Sequence, residues 1–227
     1  MVSKLMIVFV VVDVLFAMCG GLLMGFSLIA EQNMRATPTV DNVAPNLLLD
    51  QCPLTAGVVN AIFIFVTFLL SIPAFFLPQN RGWLRLQGWL VVFCATFTLG
   101  LGLSVWVETL TTRNKLSKIW SGQPEITQRL LQQKFNCCGY DDAIKFAKDD
   151  DAQNPICPSS IVALDKGPCI GKFSSFANSY LDKIFTAAFG VVGVDVILVL
   201  CVAMVLKYRQ EQERYRHIDE KNGLDGL

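Results

Sequence analysis

Four long apolar segments constrain this chain more than any other feature. Each is long enough to cross a bilayer, which takes about 20 residues. They are residues 5–30, 54–77, 86–107 and 184–206. Because lipid offers no hydrogen-bond partners, backbone groups there must pair within the segment, so each segment should be a helix. Hydrophobic types make up 53% of the 227 residues, more than a soluble domain of this size can bury. The sequence therefore predicts an all-α membrane protein with a four-transmembrane-helix bundle.

The basic residues of the connecting segments predict the orientation. The N-terminus (residues 1–4) has Lys4 and the terminal amine, and the turn at residues 78–85 has Arg81 and Arg85. The tail at residues 207–227 starts with Lys207 and Arg209, whereas the loop at residues 31–53 has only Arg35. Short segments with such an excess stay in the cytoplasm. We therefore expect both termini and the turn inside, and a small loop (residues 31–53) and a large loop (residues 108–183) outside. A cleaved signal peptide is the weaker alternative, because the first segment is too long and Asp13 interrupts it.

Charge and histidine content exclude several classes of function. Nineteen basic and nineteen acidic residues cancel, so we expect no nucleic-acid partner. His217 is the one histidine, so we expect neither histidine-based catalysis nor a metal site. We predict no cofactor and no enzyme activity. The acidic run at residues 149–151 lacks the spacing of an EF-hand loop, and a solvated loop is the preferred interpretation over a calcium site.

Four of the eight cysteines, Cys137, Cys138, Cys157 and Cys169, lie in the large loop. The outer space is oxidising, so disulfides are expected. Four cysteines allow three pairings, and joining the neighbours Cys137 and Cys138 would be strained, which leaves two. The alternative of a zinc site lacks a histidine in the loop and any C-x-x-C spacing.

The segments that flank these cysteines predict helices. Residues 108–120 extend the third apolar segment outward, and residues 173–184 repeat apolar types at helical spacing and run on into the fourth. Pro124 and Glu125 suit a helix start. Ile126, Leu130, Leu131 and Phe135 form one apolar face of the helix that starts there. The intervening residues 141–166 are polar and loop-like. We therefore predict a large loop that is mostly helical and is held by disulfides.

The chain resembles the tetraspanin family along its whole length. The resemblance rests on Cys137-Cys138-Gly139 in a large loop between the third and fourth segments, together with two further loop cysteines, a short inner turn and a smaller first outer loop. As a whole, the chain is most similar to the fungal tetraspanins linked to appressorium-mediated penetration of plant hosts. The resemblance implies the disulfides Cys137–Cys169 and Cys138–Cys157.

The resemblance also implies a function. Tetraspanins organise other membrane proteins, and partners are recognised by the variable part of the large loop, here residues 140–168. We therefore expect a non-enzymatic scaffold of the plasma membrane or of endosomal or vacuolar membranes, with integral membrane proteins as partners, homo-oligomers as a further assembly, and a role in polarised growth and host penetration. A claudin-like junction protein would instead place its large loop between the first two segments.

Two carboxyl side chains, Asp13 and Asp195, lie inside the apolar segments. A charge at the bilayer centre costs about 2.5–3.5 kcal/mol or more, so both should face the bundle interior, at a similar depth. The resemblance implies that they line an intramembrane cavity for a sterol or another lipid. The alternatives are a hydrogen bond between helices, a lipid sensor, and a small-solute or proton-coupled transporter. The sequence shows no internal repeats, no set of metal ligands and no nucleophile–base pair, which makes a transporter or an intramembrane enzyme the weaker interpretation.

Further signals concern packing, modification and sorting. Cys201, near the inner end of the fourth segment, is the candidate palmitoylation site, and Cys52 is a candidate for an intermolecular disulfide. Tyr215 and Ile218 fit a tyrosine-based sorting signal, although the basic residues of the tail also suit anionic lipid. Small residues at regular spacing predict helix contacts at Ala17, Gly21, Gly25, Gly57, Ala61, Gly190 and Gly193.

Overall fold

The computed structural model describes residues 2–76, 81–110, 112–143 and 156–221. All regular elements in these residues are helices, as the apolar segments predict. They are α1 (Val2–Arg35), α2 (Val43–Leu49), α3 (Leu54–Phe76), α4 (Arg81–Leu110), α5 (Thr112–Ser121), α6 (Glu125–Phe135), α7 (Ser160–Lys166) and α8 (Ile170–Lys221).

Four of these helices are long and apolar enough to cross a membrane. The candidate spans are Lys4–Arg35, Leu54–Pro73, Gly82–Val107 and Ile170–Ile218. Large apolar side chains on their outer surfaces, such as Leu22, Leu69 and Trp89, are exposed, and lipid is the environment that would cover them. The structure therefore supports the prediction of a multi-pass membrane protein with four spans.

The helix bounds differ from the predicted spans at several ends. α1 continues to Arg35, and α8 begins at Ile170 and runs for 52 residues without a proline. The prediction that the last helix of the large loop runs on into the fourth span is thus confirmed. Two helices were not predicted: α2 in the small loop, and α7 within the stretch that was predicted to be loop-like. Residues 78–80 of the predicted inner turn lie outside the described residues.

The chain divides into two units, and each has its own core. Unit 1 comprises Met1–Phe26, Thr55–Gly100 and Ala188–Leu227. Its core consists of apolar side chains from four helices, including Phe16, Ile64, Val91 and Leu198. α1 comes very close to α3 at Gly20, where an added Cβ would lie 2.6 Å from Ile64 Cγ2. Only a residue without a side chain fits there.

Unit 2 comprises Ser27–Leu54 and Leu101–Ala187, which include both outer loops. Its core is largely aromatic: the ring centroid of Trp120 lies 5.6 Å from that of Tyr140 and 6.1 Å from that of Phe173. Helix α2 adds Val43, Ala44, Leu47 and Leu48 to this core, so the small loop is part of the same folded unit.

The predicted apolar face of α6 is correct except at one position. Leu131 is fully buried in the core of unit 2, and Leu130 and Phe135 pack against that core. Ile126, however, is 70% exposed. It lies in the first turn of α6, where the described neighbouring elements do not cover it.

We expect Gly20→Ala to destabilise the protein, because Ile64 is β-branched and cannot easily rotate away from the added methyl group. Overpacking of this kind costs about 1–3 kcal/mol. Gly25→Ala is the matched control, since a Cβ there meets nothing within 4 Å. Thermal unfolding of the purified protein in detergent measures both. Equal melting temperatures for the two variants would contradict the close approach.

Candidate functional site

The cysteine motif at the end of α6 joins three segments of unit 2. Cys137 is bonded to Cys169 and Cys138 to Cys157, which are the two pairs implied by the resemblance. All four cysteines are fully buried. The adjacent cysteines bond in different directions because α6 ends at Asn136 in the left-handed conformation, with φ 46°.

Gly139 completes this corner. Its φ is 64°, and an added Cβ would lie 2.3 Å from the carbonyl oxygen of Asp142. Both the positive φ and the close backbone approach require glycine. The corner is held by backbone hydrogen bonds from Cys138 N to Gly167 O and from Cys169 N to Gly139 O, each 3.0 Å long. The Cys-Cys-Gly motif therefore has a direct structural explanation.

The Cys138–Cys157 disulfide supports a second, smaller core. Cys138, Ala143, Cys157 and Ala163 are buried together, with Ile156 packed against them. Ala163 belongs to α7, which is capped at its start by Ser159 and ends at Gly167 with φ 70°. One side of this short helix is thus attached to the disulfide framework.

The other side of α7 carries two apolar side chains that are exposed on the surface of unit 2. Ile161 is 80% exposed and Leu164 is 62% exposed, three residues apart on one helix face. Their position falls within residues 140–168, the predicted partner-contact region. Residues 144–155 of that region lie outside the described residues. These two side chains form a candidate contact surface, because they expose apolar area on one face of a helix that the disulfide framework holds in place.

A polar cluster lies in the interior of unit 1 around Asp13. The Ser71 hydroxyl donates a hydrogen bond of 2.5 Å to Oδ2 of Asp13, and the Gln87 amide donates one of 3.2 Å to Oδ1. Asp13 is only 2% exposed. The carboxyl group therefore links α1, α3 and α4, and this observation favours the alternative of a hydrogen bond between helices.

Further polar pairs join α3 to α4 along the same interior. Asn60 Nδ2 donates to Thr98 Oγ1 at 2.7 Å, and Thr67 Oγ1 lies 3.7 Å from Cys94 Sγ. On α3, Asn60, Thr67 and Ser71 are seven and four positions apart, which places them on one helix face. The predicted site residues did not include them, although their spacing within an apolar span was a usable signal.

Asp195 has different neighbours from Asp13. It is 0% exposed, and neither carboxyl oxygen has a hydrogen-bond partner among the described residues. No hydrogen bond joins the two aspartates in the part of the chain that the structure describes. A buried group of this kind needs a hydrogen-bond donor or a proton.

The small residues predicted to mark helix contacts divide into two groups. Ala61 is fully buried, and Ala17 and Gly57 are half-buried. A Cβ at Gly21 would touch only the ring edge of Phe65, and one at Gly25, Gly190 or Gly193 would meet nothing within 4 Å. Those three glycines therefore do not mark close contacts in this structure. The close contact is at Gly20, one position outside the four-residue spacing.

The candidate modification and sorting residues differ in access. Cys201 is 3% exposed and packs in the core of unit 1, so its thiol is a poor acceptor for a palmitoyl group. Cys52 is half-buried, and its Sγ lies 3.6 Å from the carbonyl oxygen of Leu48. Tyr215 and Ile218 are both exposed, but they lie on α8 in helical conformation.

Comparison of the chain with models of known protein families, with curated proteins and with solved structures finds no match.

We expect Ser71→Ala to destabilise unit 1, because Asp13 would lose one of its two donors. Hydrogen bonds inside membrane proteins contribute up to about 2 kcal/mol, and bonds to carboxylates are the stronger ones. Ser104→Ala is the control, since that exposed hydroxyl bonds only within its own helix. Unfolding by denaturing detergent gives both free energies. A Ser71→Ala variant as stable as the control would contradict the linking role of Asp13.

The two disulfides should protect different parts of the large loop. They close segments with sequence separations of 19 and 32 residues, which corresponds to about 3 and 4 kcal/mol in the chain-entropy model. Replacing Cys138 and Cys157 by serine should expose the α7 segment to protease while α6 and α8 stay protected. Replacing Cys137 and Cys169 should expose α6 as well. Identical cleavage patterns for the two variants would contradict this division.

Proposed function

We propose that this chain is a tetraspanin-type membrane organiser that binds partner membrane proteins laterally and through its large extracellular loop. The observation that carries the proposal is the exposed apolar pair of α7, Ile161 and Leu164. It stands on a framework held by two disulfides and a glycine corner. The resemblance based on the Cys-Cys-Gly motif supports the same function.

The framework makes α7 suitable for recognition because it reduces the entropic cost of binding. Both ends of the helix are held, by the Cys138–Cys157 disulfide on one side and by the backbone bond from Cys138 to Gly167 on the other. A partner therefore does not have to order the helix when it binds. Burying each of the two side chains contributes about 1.5–3 kcal/mol when it is fully covered.

The orientation in this proposal follows from the spans and their basic residues, and the choice of membrane and the biological role follow from the resemblance. Both termini lie in the cytoplasm and both loops outside, in the plasma membrane or in endosomal or vacuolar membranes. The chain has no enzyme activity in this proposal. In a fungus, such an organiser would support polarised growth and host penetration.

A second candidate function is recognition of a lipid within unit 1. It is favoured by Asp195, whose two carboxyl oxygens have no partner among the described residues. The hydroxyl group of a sterol or another lipid would supply the missing donor. The same residue would serve a proton-coupled transporter. Photo-crosslinking with a sterol probe distinguishes the two, because crosslinking that is lost in Asp195→Asn supports lipid binding and flux that is lost without any crosslinking supports transport.

The main proposal is tested by changing α7 alone. Full-length protein is purified in a mild detergent that preserves lateral contacts, and co-purifying membrane proteins are identified by mass spectrometry. The double variant Ile161→Lys/Leu164→Lys should lose the dominant partner. Ile126→Lys is the matched control, because Ile126 is similarly exposed in the same unit but lies on α6. A partner retained by the α7 variant, or lost equally in the control, contradicts the proposal.

A further inference from the structure

A pocket of about 240 Å³ opens in unit 2 between the small loop and the helices of the large loop. One part of its wall is apolar and is formed by Met34, Pro38, Val43 and Leu47. The end of α1, the following loop and α2 supply these residues. The pocket lies apart from α7, so it is separate from the apolar pair described above.

Other residues of the lining are polar. Gln123 and Thr127 contribute from the link between α5 and α6 and from the first turn of α6, and Asn46 and Asp50 contribute from α2 and its C-terminal end. Asp50 is the one ionisable residue in this lining. It is exposed, and it forms no ion pair with the described residues. The side-chain amide of Gln51 donates a long hydrogen bond of 3.5 Å to Oδ2 of Asp50. The carboxylate is therefore accessible to a cation.

The walls are held in place by hydrogen bonds of their own. The Asn46 amide donates to the carbonyl oxygen of Asn33 at 2.9 Å, which ties α2 to the end of α1. The backbone N–H of Thr39 donates to Asn42 Oδ1 at 2.7 Å. The Lys134 ammonium group donates to the carbonyl oxygen of Asp41 at 2.6 Å, which ties the small loop to α6. The pocket is thus formed before any ligand arrives, as binding pockets usually are.

The charge around the pocket favours a cationic ligand. The small loop carries three acidic residues and one basic residue, and that basic residue, Arg35, is already bonded to Glu31 at 2.6 Å. The two cations of α6 are also engaged: Arg129 pairs with Glu125 at 3.6 Å, and Lys134 donates to the carbonyl oxygen of Asp41. A neutral apolar occupant would cover the Asp50 carboxylate without pairing it, which is unfavourable. An anionic occupant would meet the acidic side chain directly. A cation on an alkyl chain satisfies both parts of the wall.

We propose that this pocket binds the side chain of an arginine on the extracellular part of a partner membrane protein. The alkyl stem lies against Met34, Pro38 and Leu47, as long basic side chains commonly lie on apolar surfaces. The guanidinium group pairs with Asp50, and its planar fork fits a carboxylate with two hydrogen bonds. The source of the arginine rests on the proposed scaffold function, whereas the chemistry of the pocket does not.

The pocket is tested with a small probe and the full-length protein in lipid nanodiscs. N-acetyl-arginine methylamide is titrated while the methyl signals of the six methionines are followed by NMR. The Met34 signal, assigned with Met34→Leu, should shift on binding. Asp50→Asn should weaken binding about tenfold or more, because a charge-assisted pair is lost. Asp41→Asn, in the same loop outside the pocket lining, should leave binding unchanged.

Two further arms make the test specific. N-acetyl-citrulline methylamide, which has nearly the same shape without the charge, should bind about tenfold more weakly than the arginine probe. Thr127→Arg should abolish binding, because it places a competing guanidinium group at the pocket. Equal affinities for the two probes, or equal effects of Asp50→Asn and Asp41→Asn, would overturn the proposal.

The test separates the pocket from the scaffold function. The probe titration needs no partner, so binding would persist even if the α7 experiment failed. If α7 proves essential for partner capture while the arginine probe does not bind, only the pocket proposal is refuted. If Asp50→Asn abolishes self-association of this chain, the occupant is a second copy, and the assignment to a distinct partner is overturned.

Discussion

A bilayer core contains no water to pair with polar groups, and unit 1 is organised around this constraint. Its backbone is satisfied within long helices, and the polar side chains that remain are directed inward and paired. Ser71 and Gln87 donate to Asp13, and Asn60 donates to Thr98. These bonds lie beside closely packed apolar residues and so fix which helix faces meet. Asp195 differs, because neither of its carboxyl oxygens has a hydrogen-bond partner among the described residues, and it is therefore the candidate for a ligand contact.

Unit 2 is under a different constraint, because four of its helices (α2, α5, α6 and α7) have eleven residues or fewer. It recruits α2 from the small loop to complete an aromatic core around Trp120. It then uses two covalent links to hold a region that has little apolar surface of its own. Asn136 and Gly139 direct the chain so that adjacent cysteines bond to different partners. A small core and disulfides together replace what a larger hydrophobic core would provide.

Sequence patterns predicted the long elements well, because hydropathy over a whole span is a strong signal. They also located the start of α6 from Pro124 and Glu125, since helix starts depend on local chemistry. They missed α2 and α7, each of seven residues, because such short helices depend on the core that covers them. The predicted contacts at Gly25, Gly190 and Gly193 and the predicted burial of Ile126 were wrong for a related reason. Periodicity shows which face a residue occupies, but not which neighbouring element covers it. The disulfide pairs came from the resemblance, since spacing alone left two arrangements open.

The Cys138–Cys157 bond has a consequence for how such a loop can diversify. It closes a short ring of chain whose ends are fixed at the glycine corner, while α6 and α8 are joined independently through Cys137–Cys169. Insertions within the ring therefore leave the helical framework untouched. Each doubling of ring length costs only about 0.6 kcal/mol of closure entropy. The stretch between these two cysteines can thus vary in length and composition, while α7, which follows the ring in sequence, keeps its attachment to the framework.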